Sequence, residues 1–371
     1  MQGSLNSKTA SITTLFCSIF EQSKWLSNNK TQYHCFLFLV IVTQIINDRA
    51  YFNNLHMKIA ILRRNGLGDL ICTQPLIKFL QKKYPNAEIS LFIDAGNAEL
   101  AHYLCPSMNV HIIPKGNKYL SIFRTALKFR REQFDIAISS KPTPMKLNNL
   151  FLWLLGAKKR YAVVTSKHWH SKLINYPVKQ EQVSGYHQAL KALRIFSPIE
   201  NKLSPAFFPC MKLKNKLQAV EHQFPMILFS VSNNRKNSLI NNERLTLIAN
   251  KILENYPDAK FVISSYKQNI PLAEDLRVRI GKNSEVVVSD SLNSFLALLN
   301  SMTLIIVGDG GICHLAAALQ KKLIAFYGVT MPKNWAPLAT EDKCITFYDP
   351  DDVNNIDLDA VYPAILSLLK G

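Results

Sequence analysis

From Met57 onward, short apolar runs alternate with stretches whose apolar positions recur at helical spacing. The runs Ile59–Leu62, Ile89–Ile93, Val110–Ile113, Ile136–Ser139 and Tyr161–Val164 have the length and composition of buried strands. The amphipathic stretches 68–83, 119–132 and 145–155 read as the helices between them, the first closing on Lys82-Lys83 ahead of Pro85. The alternation returns with strands at Met226–Ser230, Phe261–Ser264, Val286–Val288, Leu304–Val307 and Leu323–Tyr327. Helices over 241–256, 271–280, 292–301, 311–319 and 358–369 accompany them. Strands that alternate with helices assemble into a parallel sheet covered on both faces. The reading is therefore α/β, with two doubly wound parallel-sheet domains at 57–200 and 226–371. Residues 201–225, with Pro205, Pro209 and Pro225 and weak periodicity, form the linker. The last helix is placed where it could pack back on the first domain. Ligands of open α/β sheets bind beyond the C-terminal strand ends, so a cleft between two such sheets is the expected site.

The first 56 residues break this pattern. They are polar up to an apolar run, Cys35–Val42, that is interrupted at Thr43-Gln44. The run is short for a membrane-spanning helix, which takes about 20 apolar residues, and no small-residue cleavage site follows it. The strand that opens directly after Met57 gives the expectation that translation starts there and that residues 1–56 lie outside the folded protein, the alternative being a real N-terminal anchor. N-terminal sequencing of the native protein tests this.

Charge adds a direction. Residues 57–200 hold 22 basic and 8 acidic side chains, a net of +14, whereas residues 201–371 carry +2 of the chain's +18. The first half therefore suits an anionic partner: nucleic acid, an acidic membrane or a phosphorylated substrate. The nucleic-acid reading finds no helix-turn-helix, zinc-finger or RNP pattern to support it. Seven scattered cysteines with no CxxC pair suggest reduced cytosolic thiols and no zinc site.

Three segments carry candidate chemistry. Arg63-Arg64-Asn65-Gly66-Leu67-Gly68-Asp69 follows the opening strand, and Asp69 there is either a general base or a helix cap. A dinucleotide fingerprint would need a small residue at position 71, where Ile71 stands, which weakens an NAD reading. Gly308-Asp309-Gly310-Gly311-Ile312-Cys313-His314 ends a strand and opens a helix, an arrangement whose free N–H groups and dipole bind diphosphates. Ser230–Lys236, which contains Ser232, suits phosphate or forms a solvated loop. Asp349-Pro350-Asp351-Asp352 reads as an acidic turn before a metal site. His168-Trp169-His170 lacks a third metal ligand nearby and reads as an exposed loop able to touch a ligand.

These residues together resemble glycosyltransferase family 9, the heptosyltransferases of the bacterial lipopolysaccharide core, over about residues 57–340. Gly308–Leu319 and Ala325-Phe326-Tyr327-Gly328-Val329-Thr330 carry the likeness most specifically, with Gly66–Asp69, Lys146–Leu150 and Gly156–Tyr161 beside them. The resemblance implies the two-Rossmann fold called GT-B and an ADP-heptose donor. It also implies inversion at the anomeric carbon, no cofactor and no metal. It implies Asp69 as the base on the acceptor hydroxyl and a donor site of Ser232, Lys236, Asp309, Gly310, Gly311 and His314. Arg63, Arg64, Lys141, Lys146 and His168 are the implied contacts to an anionic lipopolysaccharide acceptor. The enzyme would then work in the cytoplasm, peripheral to the inner membrane, with no nucleic-acid partner. Two departures stand out. Gly310 replaces the family's usual Thr or Ser, which leaves room for another nucleotide sugar. Glu274 is only a spatial guess for the family's donor-pocket glutamate.

Overall fold

The computed structural model describes residues 57–370 except Asn65, Lys212, residues 214–221 and Asn234. The expectations for residues 1–56 and for part of the linker thus lie outside the described residues. The first sheet holds β1 (Lys58–Arg63), β2 (Glu88–Asp94), β3 (Asn109–Ile113), β4 (Ile136–Ser139), β5 (Lys159–Val164) and β6 (Tyr176–Lys179). The second holds β7 (Met226–Ser230), β8 (Lys260–Ser264), β9 (Ser284–Val287), β10 (Leu304–Gly308), β11 (Lys322–Tyr327) and β12 (Cys344–Tyr348). The first runs β3-β2-β1-β4-β5-β6 and the second β9-β8-β7-β10-β11-β12. Every pairing is parallel, from Ile59 opposite Ile89 to Phe326 opposite Phe347. Both sheets therefore have Rossmann strand order, and each reverses direction between its first and fourth strands. That switch point is where a doubly wound sheet opens a crevice at its C-terminal edge.

Helices α1 (Leu67–Ile71), α2 (Gln74–Lys83), α3 (Ala98–Leu104), α4 (Lys118–Phe129), α5 (Lys146–Leu155) and α6 (Gln188–Phe196) accompany the first sheet. The second has α7 (Asn242–Asn255), α8 (Ile270–Ile280), α9 (Leu292–Ser301), α10 (Gly311–Ala318), α11 (Pro332–Trp335) and α12 (Leu358–Lys370). The single helix expected over 68–83 is divided. Pro75 has no N–H to offer the Ile71 carbonyl, and its ring crowds that group, so α1 closes at Ile71 and α2 restarts with Pro75 in its first turn. Thr73 Oγ1 donates to the Asp69 carbonyl at 3.0 Å across the break.

One apolar core runs through both sheets, joining Ile61 and Leu76 of the first half to Val262 and Leu315 of the second. Polar ties cross the same boundary. Gln74 exchanges two hydrogen bonds with the Cys210 backbone at 2.7 and 2.8 Å. Met211 N donates to the Ala318 carbonyl at 2.8 Å. Asn293 N donates to Glu99 Oε1 at 3.0 Å. The last helix does not return to the first sheet: Val361, Ile365 and Leu368 of α12 are buried with Ile248 and Ile252 of α7. Its apolar face is satisfied there, which corrects the expectation above. Among the described residues no helix is long and apolar enough to cross a membrane.

Candidate active site

The two sheets enclose a cleft of about 640 Å³ lined from one side by Gly66–Asp69 and from the other by Asp309–Ile312 and His314. Its floor is set by glycine. A Cβ on Gly68 would meet the His314 ring at 2.9 Å, so the first residues of α1 lie directly against α10. Ser232, Asn233 and Arg235 line one wall, and Trp335 of α11 another, its ring edge-on to His314 with centroids 6.0 Å apart.

Asp69 does not cap its helix. The cap position is Gly66, and no side chain caps α1. The Asp69 carboxylate instead accepts from the Arg63 guanidinium, with Lys141 Nζ 4.0 Å from the same oxygen. Arg63 is fully buried and also donates to the Ser140 carbonyl. It therefore cannot be the acceptor contact expected of it: burial leaves it to orient Asp69. Lys141 is half-buried, and burial lowers its amine despite Asp69 beside it. Arg64 pairs with Asp94 at 2.9 Å. Lys146 lies over the rings of Tyr119 and Trp169, at 5.6 and 5.7 Å, away from the cleft lining. His168 is exposed and stacks on His170, whose own Nδ1 is 3.0 Å from Asn149 Nδ2.

On the donor side, Asp309 is buried and paired with Arg235, which also donates to Thr330 Oγ1 at 2.8 Å. Burial raises the Asp309 carboxyl above the usual range, against the opposing pull of Thr330 and Arg235. Asn233 Nδ2 bridges the Asp309 carbonyl at 2.8 Å and the Ser238 carbonyl at 3.1 Å, fixing this loop to the end of β10. Lys236, expected on the donor, is exposed and does not line the cleft; its neighbour Arg235 does, because the turn Lys236–Ser238 carries Lys236 outward. Ser232 is buried, with its hydroxyl accepting from Tyr266 N at 2.9 Å. Gly310 and Gly311 stand at the entry of α10, and nothing approaches within 4 Å of a Cβ built on Gly311. Glu274 lies outside the cleft, paired with Arg277 on the exposed face of α8.

His314 is fully enclosed, and burial lowers it to about 4. Burial thus disfavours the charged imidazolium and favours the neutral ring where it lines the cleft. His187, at the cap of α6, is likewise lowered by burial to about 4. Its Nδ1 accepts from Ala189 N at 3.2 Å, which leaves Nε2 to donate to the Ala336 carbonyl at 2.9 Å across the domain boundary. Protonating Nδ1 would break the cap. Both histidines bind protons more readily unfolded than folded, so their contribution is whole above 6.5 and is lost as pH falls from 6.5 toward 4. Urea titrations across that window should show the unfolding midpoint falling with pH, and a shallower fall in His187→Asn. Equal slopes would remove His187 from the account.

Asp349 Oδ1 accepts from Asp351 N at 2.9 Å and Asp352 N at 3.0 Å, which makes the acidic cluster a self-bonded turn. Among the described residues no group of three or more His, Cys, Asp or Glu comes together to hold a metal ion. Sequence reasoning missed Arg235, Asn233, Trp335 and His187. Arg235 and Asn233 sat inside the segment already singled out; Trp335 and His187 had no local signal.

The chain is similar to known proteins over most of its length. The family model described as glycosyltransferase family 9 (heptosyltransferase) matches residues 122–354. Lipopolysaccharide heptosyltransferase 1 of Campylobacter coli is 22% identical, over 74% of this chain and 84% of that protein. The structure of Escherichia coli ADP-heptose lps heptosyltransferase II superposes with TM-score 0.67 at 17% identity, covering 85% of this chain and 99% of that one. An Escherichia coli heptosyltransferase structure with ADP-2-deoxy-2-fluoro heptose gives 0.61 at 15% identity, covering 84% and 99%. The two parallel six-stranded sheets and the cleft between their glycine-rich turns are the GT-B arrangement, and the chain belongs to glycosyltransferase family 9, the heptosyltransferase enzymes.

Proposed function

We propose that the chain transfers heptose from ADP-heptose to the inner core of lipopolysaccharide, a Kdo–lipid A or heptosylated core acceptor, with inversion at the anomeric carbon. The observation that carries this reading is the placement of the Asp69 carboxylate and the entry of α10 in one cleft. Asp69 takes the proton of the acceptor hydroxyl. The oxygen then attacks the anomeric carbon from the face opposite the diphosphate, and the bond from that carbon to the diphosphate oxygen breaks. The N–H groups that open α10, the Arg235 guanidinium and the neutral His314 ring receive the charge left on ADP. Residues 57–200, with Arg64, Lys141, Lys146 and His168, take the anionic acceptor, and residues 226–371 take the donor. The structures of relatives that bind ADP and an ADP-heptose analogue support the donor. The enzyme works at the cytoplasmic face of the inner membrane, where it meets a lipid-linked acceptor. A second reading keeps the mechanism with another nucleotide sugar, because Gly310 offers no hydroxyl to the donor.

The test incubates the full chain with ADP-heptose and Kdo–lipid A and follows ADP. The expected result is release that requires the acceptor. Acceptor-dependent release only from a different nucleotide sugar moves the assignment to the second reading, and silence with every donor and acceptor overturns both.

A further inference from the structure

Helix α4 is apolar on two faces. Ile122, Thr125 and Ala126 turn inward, as a sheet-covering helix requires. Yet Tyr119, Leu120, Phe123 and Leu127 are between 41% and 57% exposed. At roughly 100° per residue these four fall within an arc of about 100°, a continuous outward stripe. Scattered exposed leucines need no explanation, but a contiguous apolar stripe does.

The stripe widens at both ends. Lys146 at the start of α5 lies over both Tyr119 and Trp169, gathering α4, α5 and the 169–173 turn at one point. At the other end Arg130 donates to the Leu154 carbonyl at 2.7 Å, so the two helices run side by side. Trp169 and Trp153 are both strongly exposed, one near each end of the pair. Aromatic rings with a polar edge and lysines on long stems are the side chains that settle at the headgroup level of a bilayer.

Charge completes the surface. Between residues 112 and 133 stand Lys115, Lys118, Arg124, Lys128, Arg130 and Arg131, against the single acid Glu132. Glu132 is itself neutralised by Lys58 at 2.5 Å. Arg124 and Lys128 border the apolar stripe along its length. An apolar stripe with a basic border is complementary to a bilayer surface bearing anionic headgroups. The N-terminal end of α4 follows β3 at the C-terminal edge of the first sheet, the edge that opens into the cleft.

We propose that the outer face of α4, with Trp153 and Trp169, is a docking surface for an anionic lipid bilayer that holds the cleft against the membrane. The inference deepens the acceptor reading above, because a lipid-linked acceptor is met at such a surface. Its deciding readout, vesicle binding, needs neither donor nor acceptor, so the two can fail separately.

The experiment floats the full chain with phosphatidylcholine vesicles containing roughly a third phosphatidylglycerol, and with phosphatidylcholine alone, at low and high salt. Two variants are compared: Leu120→Ser/Phe123→Ser/Leu127→Ser for the stripe and Arg124→Glu/Lys128→Glu for its border. The expected result is salt-sensitive binding to the anionic vesicles that falls at least about 10-fold in each variant. Circular dichroism and acceptor-dependent ADP release on detergent-dispersed acceptor should match the parent. Vesicle binding unchanged in both variants overturns the proposal, because other parts of the chain then carry it. A stripe variant that converts a dimer to a monomer, with no vesicle binding in the parent, also overturns it by making this face a contact between two copies.

Discussion

Asp69→Asn is expected to cut acceptor-dependent ADP release by about 10²- to 10⁴-fold, the usual worth of a positioned general base. The loss should fall on kcat and leave donor affinity alone, because Asp69 reaches the cleft from the first sheet while the donor side is built on the second. Asparagine keeps an oxygen for the Arg63 guanidinium, so the buried pair remains hydrogen-bonded and the fold is kept. Alanine is the poorer test. It would strand a buried guanidinium whose Nε already has no partner, at a cost of about 3–5 kcal/mol, and confuse lost chemistry with lost structure. Transfer by Asp69→Asn at the parent rate would hand the proton to another group.

Much of this arrangement is legible in the chain because parallel strands buried on both faces write themselves as apolar runs. β1, β4, β7 and β10, the strands that frame the switch points, are such runs, and the glycine-rich segments stand directly after two of them. The edges are harder to read. β6 is Tyr-Pro-Val-Lys, and Pro177 argues against a strand everywhere except at a sheet edge, where it lies. β12 holds the equivalent edge of the second sheet and is only partly buried, so its pattern is weak. The short α3 and the α6 that packs on α2 were likewise not marked by a long periodic stretch.

The site divides along a similar line. Asp69, Asp309, Gly311 and His314 belong to contiguous motifs and all line the cleft. Choosing between Arg235 and Lys236 depended on which of two neighbouring cations the turn after Asn233 directs inward, a matter of tertiary packing. Arg63 was expected to meet the acceptor, and arginine is mostly exposed. Its burial follows from Ser140 and Asp69, which arrive from different parts of the chain. Trp335 and His187 reach the boundary through packing alone, with no sequence neighbour to announce them.

Two alanine substitutions at glycines three residues apart should separate packing from donor binding. A Cβ on Gly308 would sit 1.7 Å from the Ser238 carbonyl oxygen, and one on Gly328 2.3 Å from the Asn237 oxygen. The turn Lys236–Ser238 thus rests on two bare backbones, and Asn233 clamps it to Asp309. Gly308→Ala cannot be absorbed by rotating a side chain, since the obstacle is backbone. It is expected to destabilise the protein by on the order of 3 kcal/mol, the upper end of ordinary overpacking, and to pull Arg235 from Asp309. Gly311→Ala meets nothing within 4 Å and should leave the urea midpoint where it was. Its methyl group, however, enters the cleft at the first residue of α10, where the diphosphate is proposed to sit. There ADP affinity should fall roughly 10-fold, the penalty of about 1.4 kcal/mol for moving an anion off its N–H donors. Calorimetric titration of ADP into both variants, beside their urea curves, decides the matter. Unchanged ADP affinity in Gly311→Ala would take the diphosphate away from the α10 entry. A Gly308→Ala protein as stable as its parent would mean that the turn, and Arg235 with it, moves freely over the end of β10.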